Sequence, residues 1–230
     1  MLIFYVRYFL GTFGTITPLI LGLLNLKYLR DGWQWIFGFV VLGFIISMLN
    51  VHVFVGVNNL FLVHLYVPLK FILFTGAYRH FLKGFVSTRI LVWVVVLFIG
   101  YNIFNTMFIQ RITEYNSYPR ALGSFLISIY AILWYLKTLT NMEIRRMRDE
   151  PVVWFNTGVL IYFAGSFFVF ILSNQVLFQS VQLSKQVWLI SSTLMFIFYQ
   201  IIAYSFFLVG KNAKSKAAGS HEATSNLIQR

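Results

Sequence analysis

Residues 59–80 read NLFLVHLYVPLKFILFTGAYRH, and between Asn59 and Gly76 the only formal charge is Lys70. As an α-helix, such a run covers roughly 33 Å, enough to cross the ~30 Å hydrocarbon layer of a bilayer. A lipid-facing β-strand would alternate polar and apolar residues, and this stretch does not. It therefore reads as a membrane-spanning helix. Six further runs of the same kind flank it: 5–26, 33–54, 89–109, 119–138, 152–173 and 187–209. The expected fold is all-α, a polytopic bundle of seven transmembrane helices.

Composition agrees. The chain is 59% hydrophobic and 10% charged, whereas soluble domains carry roughly 25% charged residues. A water-soluble globule of this size could not hide so much apolar surface. The net charge of +12 would suit a nucleic-acid binder if it formed a patch. Here the cations sit in short clusters between apolar runs, as at an anionic membrane surface. The chain has no cysteine, which excludes disulfides, thiol catalysis and Cys-ligated metal sites. The opening MLIFYVRYFL leads straight into apolar sequence without a small-residue cleavage site, so it reads as a retained first helix.

Lysine and arginine in short loops set orientation. Thirteen fall on one side: Lys27 and Arg30; Arg79, Lys83 and Arg89; Lys137, Arg145, Arg146 and Arg148; and Lys211, Lys214, Lys216 and Arg230. Four fall on the other, Arg7, Arg111, Arg120 and Lys185. This imbalance places the N-terminus outside and the C-terminus in the cytoplasm. Tryptophans 33, 35, 93, 134 and 154 fall near the proposed cytoplasmic ends, as interfacial rings should. Residues 1–210 then form the transmembrane domain, and 211–230, polar and rich in small residues, read as a flexible basic cytoplasmic tail. The tail is too short for an output domain of its own, and no internal repeat suggests a transporter of duplicated halves.

Polar side chains at membrane depth are costly and mark where function is to be sought. They concentrate in the proposed outer half: His64 and Asn59 on the third span, Asn102 and Asn105 on the fourth, Arg120 at the start of the fifth, and Ser166 on the sixth. Helical spacing puts Asn59, Tyr66 and Lys70 within about 40° of one stripe, and repeats Arg120, Ser124 and Ser128 every turn. Gly158, Tyr162 and Ser166 do the same on the sixth span. The plain reading of such stripes is interhelical hydrogen bonding. The alternative is an outward-facing polar cavity.

Lys70 lies about 16 Å from either end of its span, too deep for the side chain to reach water comfortably. All six acids fall in loops or the tail, so the expected counter-ion is missing. Lys70 is then neutral, hydrated, or facing an anionic ligand. Pro68 in the same helix has no N–H to give the His64 carbonyl and should kink the chain.

Several chemistries fit poorly. With two histidines and no carboxylate in the spans, a zinc hydrolase lacks its ligands. A Ser166–His dyad has nothing to orient the base. A microbial retinal protein would need a lysine inside the last span. The expectation is a non-enzyme with no cofactor or metal.

LIFYVRYFLGTFGTITPLILGL, NNLFLVHLYVPLKFIL, YNSYPRAL and DEPVVWFNTGVLIYFAGSFFVFILSN resemble a group of uncharacterised seven-helix proteins of Bacteroidetes-type bacteria, over most of the chain except the tail. Those proteins are often encoded beside sensor histidine kinases, which implies a sensory or accessory role. The position of Lys70 is more often acidic in that group. From the depth, spacing and charge of the polar residues, the expected ligand site is Lys70, Tyr66, His64, Asn59, Asn105 and Asn102, taking a small polar or anionic ligand. Arg145, Arg146 and Arg148 would touch anionic lipid or a signalling partner, or simply set topology. A small-molecule transporter and a purely structural subunit are the competing readings.

Overall fold

The computed structural model describes residues 13–50, 59–141, 147–170 and 181–228. These residues hold seven helices and no strand. They are α1 (Ile16–Leu24), α2 (Trp33–Met48), α3 (Phe61–Phe81), α4 (Thr88–Phe108), α5 (Ser117–Asn141), α6 (Pro151–Phe170) and α7 (Val181–Ile228). Five of them, α3 to α7, are long and apolar enough to cross a membrane. α1 and α2 are apolar but shorter as described, and residues 1–12 and 51–58, which include the start of the first expected span and the end of the second, lie outside the described residues.

The turns follow from local sequence. Between α1 and α2 the chain reverses at Asp31 and Gly32, both at positive φ (50° and 104°). Glycine meets that requirement at no steric cost. A side chain at Gly32 would also run into Phe81 and the Ala77 carbonyl. Pro151 opens α6, where its missing N–H costs nothing and its fixed φ suits a helix start. Pro68 falls inside α3, which nevertheless continues to Phe81.

Packing runs around a ring. α1 lies against α2 and α7, α2 against α3, α3 against α4 and α5, α5 against α4 and α6, and α6 against α7. Aromatic rings fill the centre. Phe74 meets Phe39 at 4.9 Å and Phe163 at 5.0 Å between centroids. Tyr162 stacks on Phe198 at 5.3 Å. Phe39, Phe74, Phe155 and Phe198 are all essentially inaccessible. Polar contacts cross this layer, among them the Tyr78 hydroxyl donating to Asn156 Oδ1 at 2.6 Å and Thr75 Oγ1 at 3.5 Å from the Tyr130 hydroxyl.

The last helix departs from expectation. α7 begins at Val181 and continues without a break through 211–228, the segment expected as a tail. Forty-eight residues of helix extend roughly 72 Å. Extending an existing helix adds a hydrogen bond for each residue fixed, and Lys211–Ala218 contains no proline or glycine to stop it.

Candidate functional site

Tyr66 and Lys70 project from one face of α3. Lys70 is 3% exposed, and its Nζ lies 5.2 Å from the centre of the Phe163 ring and 5.6 Å from that of Tyr66. Cation–π contact of this kind stabilises a charge by about 0.5–2 kcal/mol, less than its transfer from water costs. Phe163 and Tyr162 are carried by a π-helical turn, Leu160–Ala164. Such turns interrupt the normal helical register and recur at functional sites.

Arg120, near the start of α5, is the second cation of this region. Its guanidinium lies 4.1 Å from the Phe170 ring centre and 4.9 Å from that of Tyr115, and it donates to the Tyr115 hydroxyl. Nε is buried and makes no hydrogen bond among the described residues. Arg120 lies in the same electrostatic neighbourhood as Lys70, Tyr66 and Tyr162. The Tyr66, Tyr162 and Tyr199 phenols neighbour one another in turn. Tyr66 faces Tyr199 and Ser166 faces Tyr162, although neither Tyr66 Oη nor Ser166 Oγ is held in close hydrogen-bond geometry. Gly43 leaves room for Tyr199, since any side chain there would collide with its hydroxyl. The result is two cations and three phenols, with no acid among the described residues to neutralise them.

His64 belongs elsewhere. It lies six residues before Lys70, which turns it some 120° around α3, and it faces α4. Nε2 is 3.1 Å from the Glu114 carbonyl and Nδ1 is 2.9 Å from Thr106 Oγ1. A carbonyl can only accept, so Nε2 carries a proton; the Thr106 hydroxyl donates to the Asn102 carbonyl at 3.0 Å and leaves its oxygen facing Nδ1. His64 and Asn102 sit at the base of a groove of about 370 Å³ between α3 and α4. Leu65, Ile103 and Met107, more than half exposed, form its rim.

Asn105 serves the α4–α5 turn. Its Nδ2 donates to Gln110 Oε1 at 3.1 Å and to Asn116 Oδ1 at 3.2 Å, while Gln110 Nε2 donates to Ser117 Oγ at 2.8 Å. Asn59 starts α3, its carbonyl accepting from Leu62 N–H. The six residues expected in one cavity thus divide. Lys70 and Tyr66 stay together, His64 and Asn102 share the groove, and Asn105 and Asn59 shape the ends of helices. Ser124 and Ser128 are satisfied within α5 by the carbonyls of Arg120 and Ser124.

Arg148 is exposed in a short turn and its carbonyl accepts from Trp154 Nε1 at 2.9 Å. Arg145 and Arg146 lie outside the described residues, as do 51–58 and 171–180, the outer ends expected for the second and sixth spans. Sequence reasoning quoted Arg120, Tyr162 and Ser166 as stripes without assigning them to the site. Their four-residue spacing is visible in sequence, but the pairing of α3 with α5 and α6 is not.

Comparison with protein-family models, curated proteins and solved structures finds no match to this chain.

Proposed function

We propose that this is a receptor-like or accessory protein of the bacterial inner membrane that takes a small anion between Lys70 and Arg120. The observation that carries the reading is the pair of cations close to the buried Tyr66 and Ser166 hydroxyls, which face only other hydroxyls, with no carboxylate acting on Lys70 among the described residues. Two like charges in a low-dielectric setting repel strongly, and an anion entering between them converts repulsion into attraction. The tyrosine and serine hydroxyls would donate to its oxygens. In the orientation given by the positive loops, Arg120 lies on the outer side and the ligand arrives from there. The aromatic layer around Phe39, Phe74 and Phe155 supports a one-sided site over a through-path, which favours sensing over transport.

We read the output as passing through a partner, in line with the resemblance to proteins encoded beside histidine kinases. Arg148 and its neighbours, with the basic end of α7, would face anionic lipid or that partner. The chemistry is recognition, with no bond made or broken.

The test is thermal denaturation of the detergent-purified chain with acetate, succinate or inorganic phosphate against chloride at equal ionic strength. At least one oxyanion should raise the melting temperature of the wild type, and the rise should vanish in both Lys70→Met and Arg120→Gln. Identical curves in all anions would remove the basis for a ligand site.

A further inference from the structure

α6 and α7 are joined at successive levels between Lys70 and the turn that carries Asp149. At the upper level, Lys70 Nζ lies 5.2 Å from the Phe163 ring centre. Phe163 meets Phe198 of α7 at 5.7 Å, and Tyr162 stacks on the same ring at 5.3 Å. At the middle level, Ile201 approaches Gly158 so closely that a methyl group there would sit 2.9 Å from Ile201 Cγ2, and Trp154 meets Tyr204 edge-on at 5.1 Å. At the lower level, Asn212 Nδ2 donates to the Asp149 carbonyl at 2.9 Å, and Lys216 acts on the adjacent Glu150 carboxyl. Asn212 lies about 21 Å along α7 from Phe198.

The two ends of this pair differ in kind. Tyr162 and Phe163 belong to the π-helical turn Leu160–Ala164. Its hydrogen bonds close one residue further along than those of an α turn, so the ordinary α form is its alternative. The lower contact is an exposed hydrogen bond between a side chain and a carbonyl, which water replaces at little cost. Between the two, the close fit of Ile201 on Gly158 leaves no slack to absorb a displacement. An anion between Lys70 and Arg120 would draw the ammonium group off the Phe163 ring, and the π turn would lose the contact that fixes that ring. Resting on the anion site proposed above, we infer that its occupancy is read out through the α6–α7 pair: anion binding frees Asn212 from the Asp149 carbonyl and releases the segment of α7 that follows.

The test uses the full chain in detergent with Ala213→Cys, a half-buried position beside Asn212 that gives the protein its only thiol. The rate of maleimide labelling is followed in acetate, succinate or inorganic phosphate against chloride at equal ionic strength. The oxyanion that raises the melting temperature should speed labelling about fivefold or more, the lower end of the coupling seen between linked sites. Linkage is reciprocal, so Asn212→Leu, which opens the contact beforehand, should lower by a similar factor the oxyanion concentration needed for a given rise in melting temperature. A contact that only braces the fold would leave that concentration unchanged. Labelling unchanged or slowed by an oxyanion that raises the melting temperature, or an unchanged concentration in Asn212→Leu, would overturn the readout and leave the anion site standing. No rise in melting temperature with any oxyanion would remove both.

Discussion

Replacing Lys70 with methionine should make the protein more stable. Most substitutions of buried residues do the opposite, so the sign alone is diagnostic. Methionine has nearly the volume and flexibility of lysine and leaves no cavity. What it removes is a cation at mid-helix, where insertion costs about 2.5–3.5 kcal/mol. Against that cost stand the contacts to the Phe163 and Tyr66 rings, at 5.2 and 5.6 Å, together contributing about 1–2 kcal/mol. Arg120 adds repulsion. The balance is a gain of about 1–3 kcal/mol, which for a chain of this size raises the melting temperature by roughly 2–10 °C. The assay is thermal unfolding in detergent without added oxyanions, followed by loss of the monodisperse peak. A melting temperature lowered by several degrees would refute the reasoning, because it would mean that Lys70 already holds a partner within the fold. Stability gained together with anion response lost is the trade expected where a strained site serves binding.

Other outcomes follow from the same geometry. Tyr78→Phe deletes the 2.6 Å bond to Asn156 and strands a buried acceptor, so it should cost about 1–3 kcal/mol, read from the same melts. Gly43→Ala drives a methyl group into the Tyr199 hydroxyl and should cost about 1–3 kcal/mol, with the anion response weakened because Tyr199 must move. Asn105→Leu breaks the Gln110–Asn116–Ser117 network at the α4–α5 turn and should speed proteolysis there without altering the selectivity among anions. Glu150, in the connection before α6, has its carboxyl raised above the ordinary 4.5 by burial, partly offset by the Val152 N–H and Lys216. An acid raised on folding is penalised when ionised, so its drag on stability is full above the folded pKa and fades as pH falls toward 4.5. Glu150→Gln should flatten that acid-side gain in a pH series of melts.

The helices were legible because hydrocarbon imposes length and apolarity, a signal that needs no tertiary information. Lys70 and Tyr66 were legible as a pair because four residues make one turn. His64 was grouped with them by depth alone, and depth ignores the 120° that turns it toward Thr106. Asn102 and Asn105 likewise sit near the expected level but spend their amides on Phe98, Gln110 and Asn116. Arg120 could not be joined to Lys70 in advance, because spacing within α5 does not reveal which helix α5 faces. The extension of α7 past Gly210 was missed for a different reason: polarity alone suggested a tail, while helix propagation depends on the turn already formed.

The most direct test concerns the bilayer itself. The chain has no cysteine, so single cysteines can be placed at will. Thr113→Cys marks the α4–α5 turn and Lys83→Cys the exposed α3–α4 turn. In intact spheroplasts, a membrane-impermeant maleimide should label position 113 at once and position 83 only after lysis. Labelling of position 83 from outside, or of both positions equally before lysis, would contradict a bundle that crosses hydrocarbon with Arg120 at its outer face.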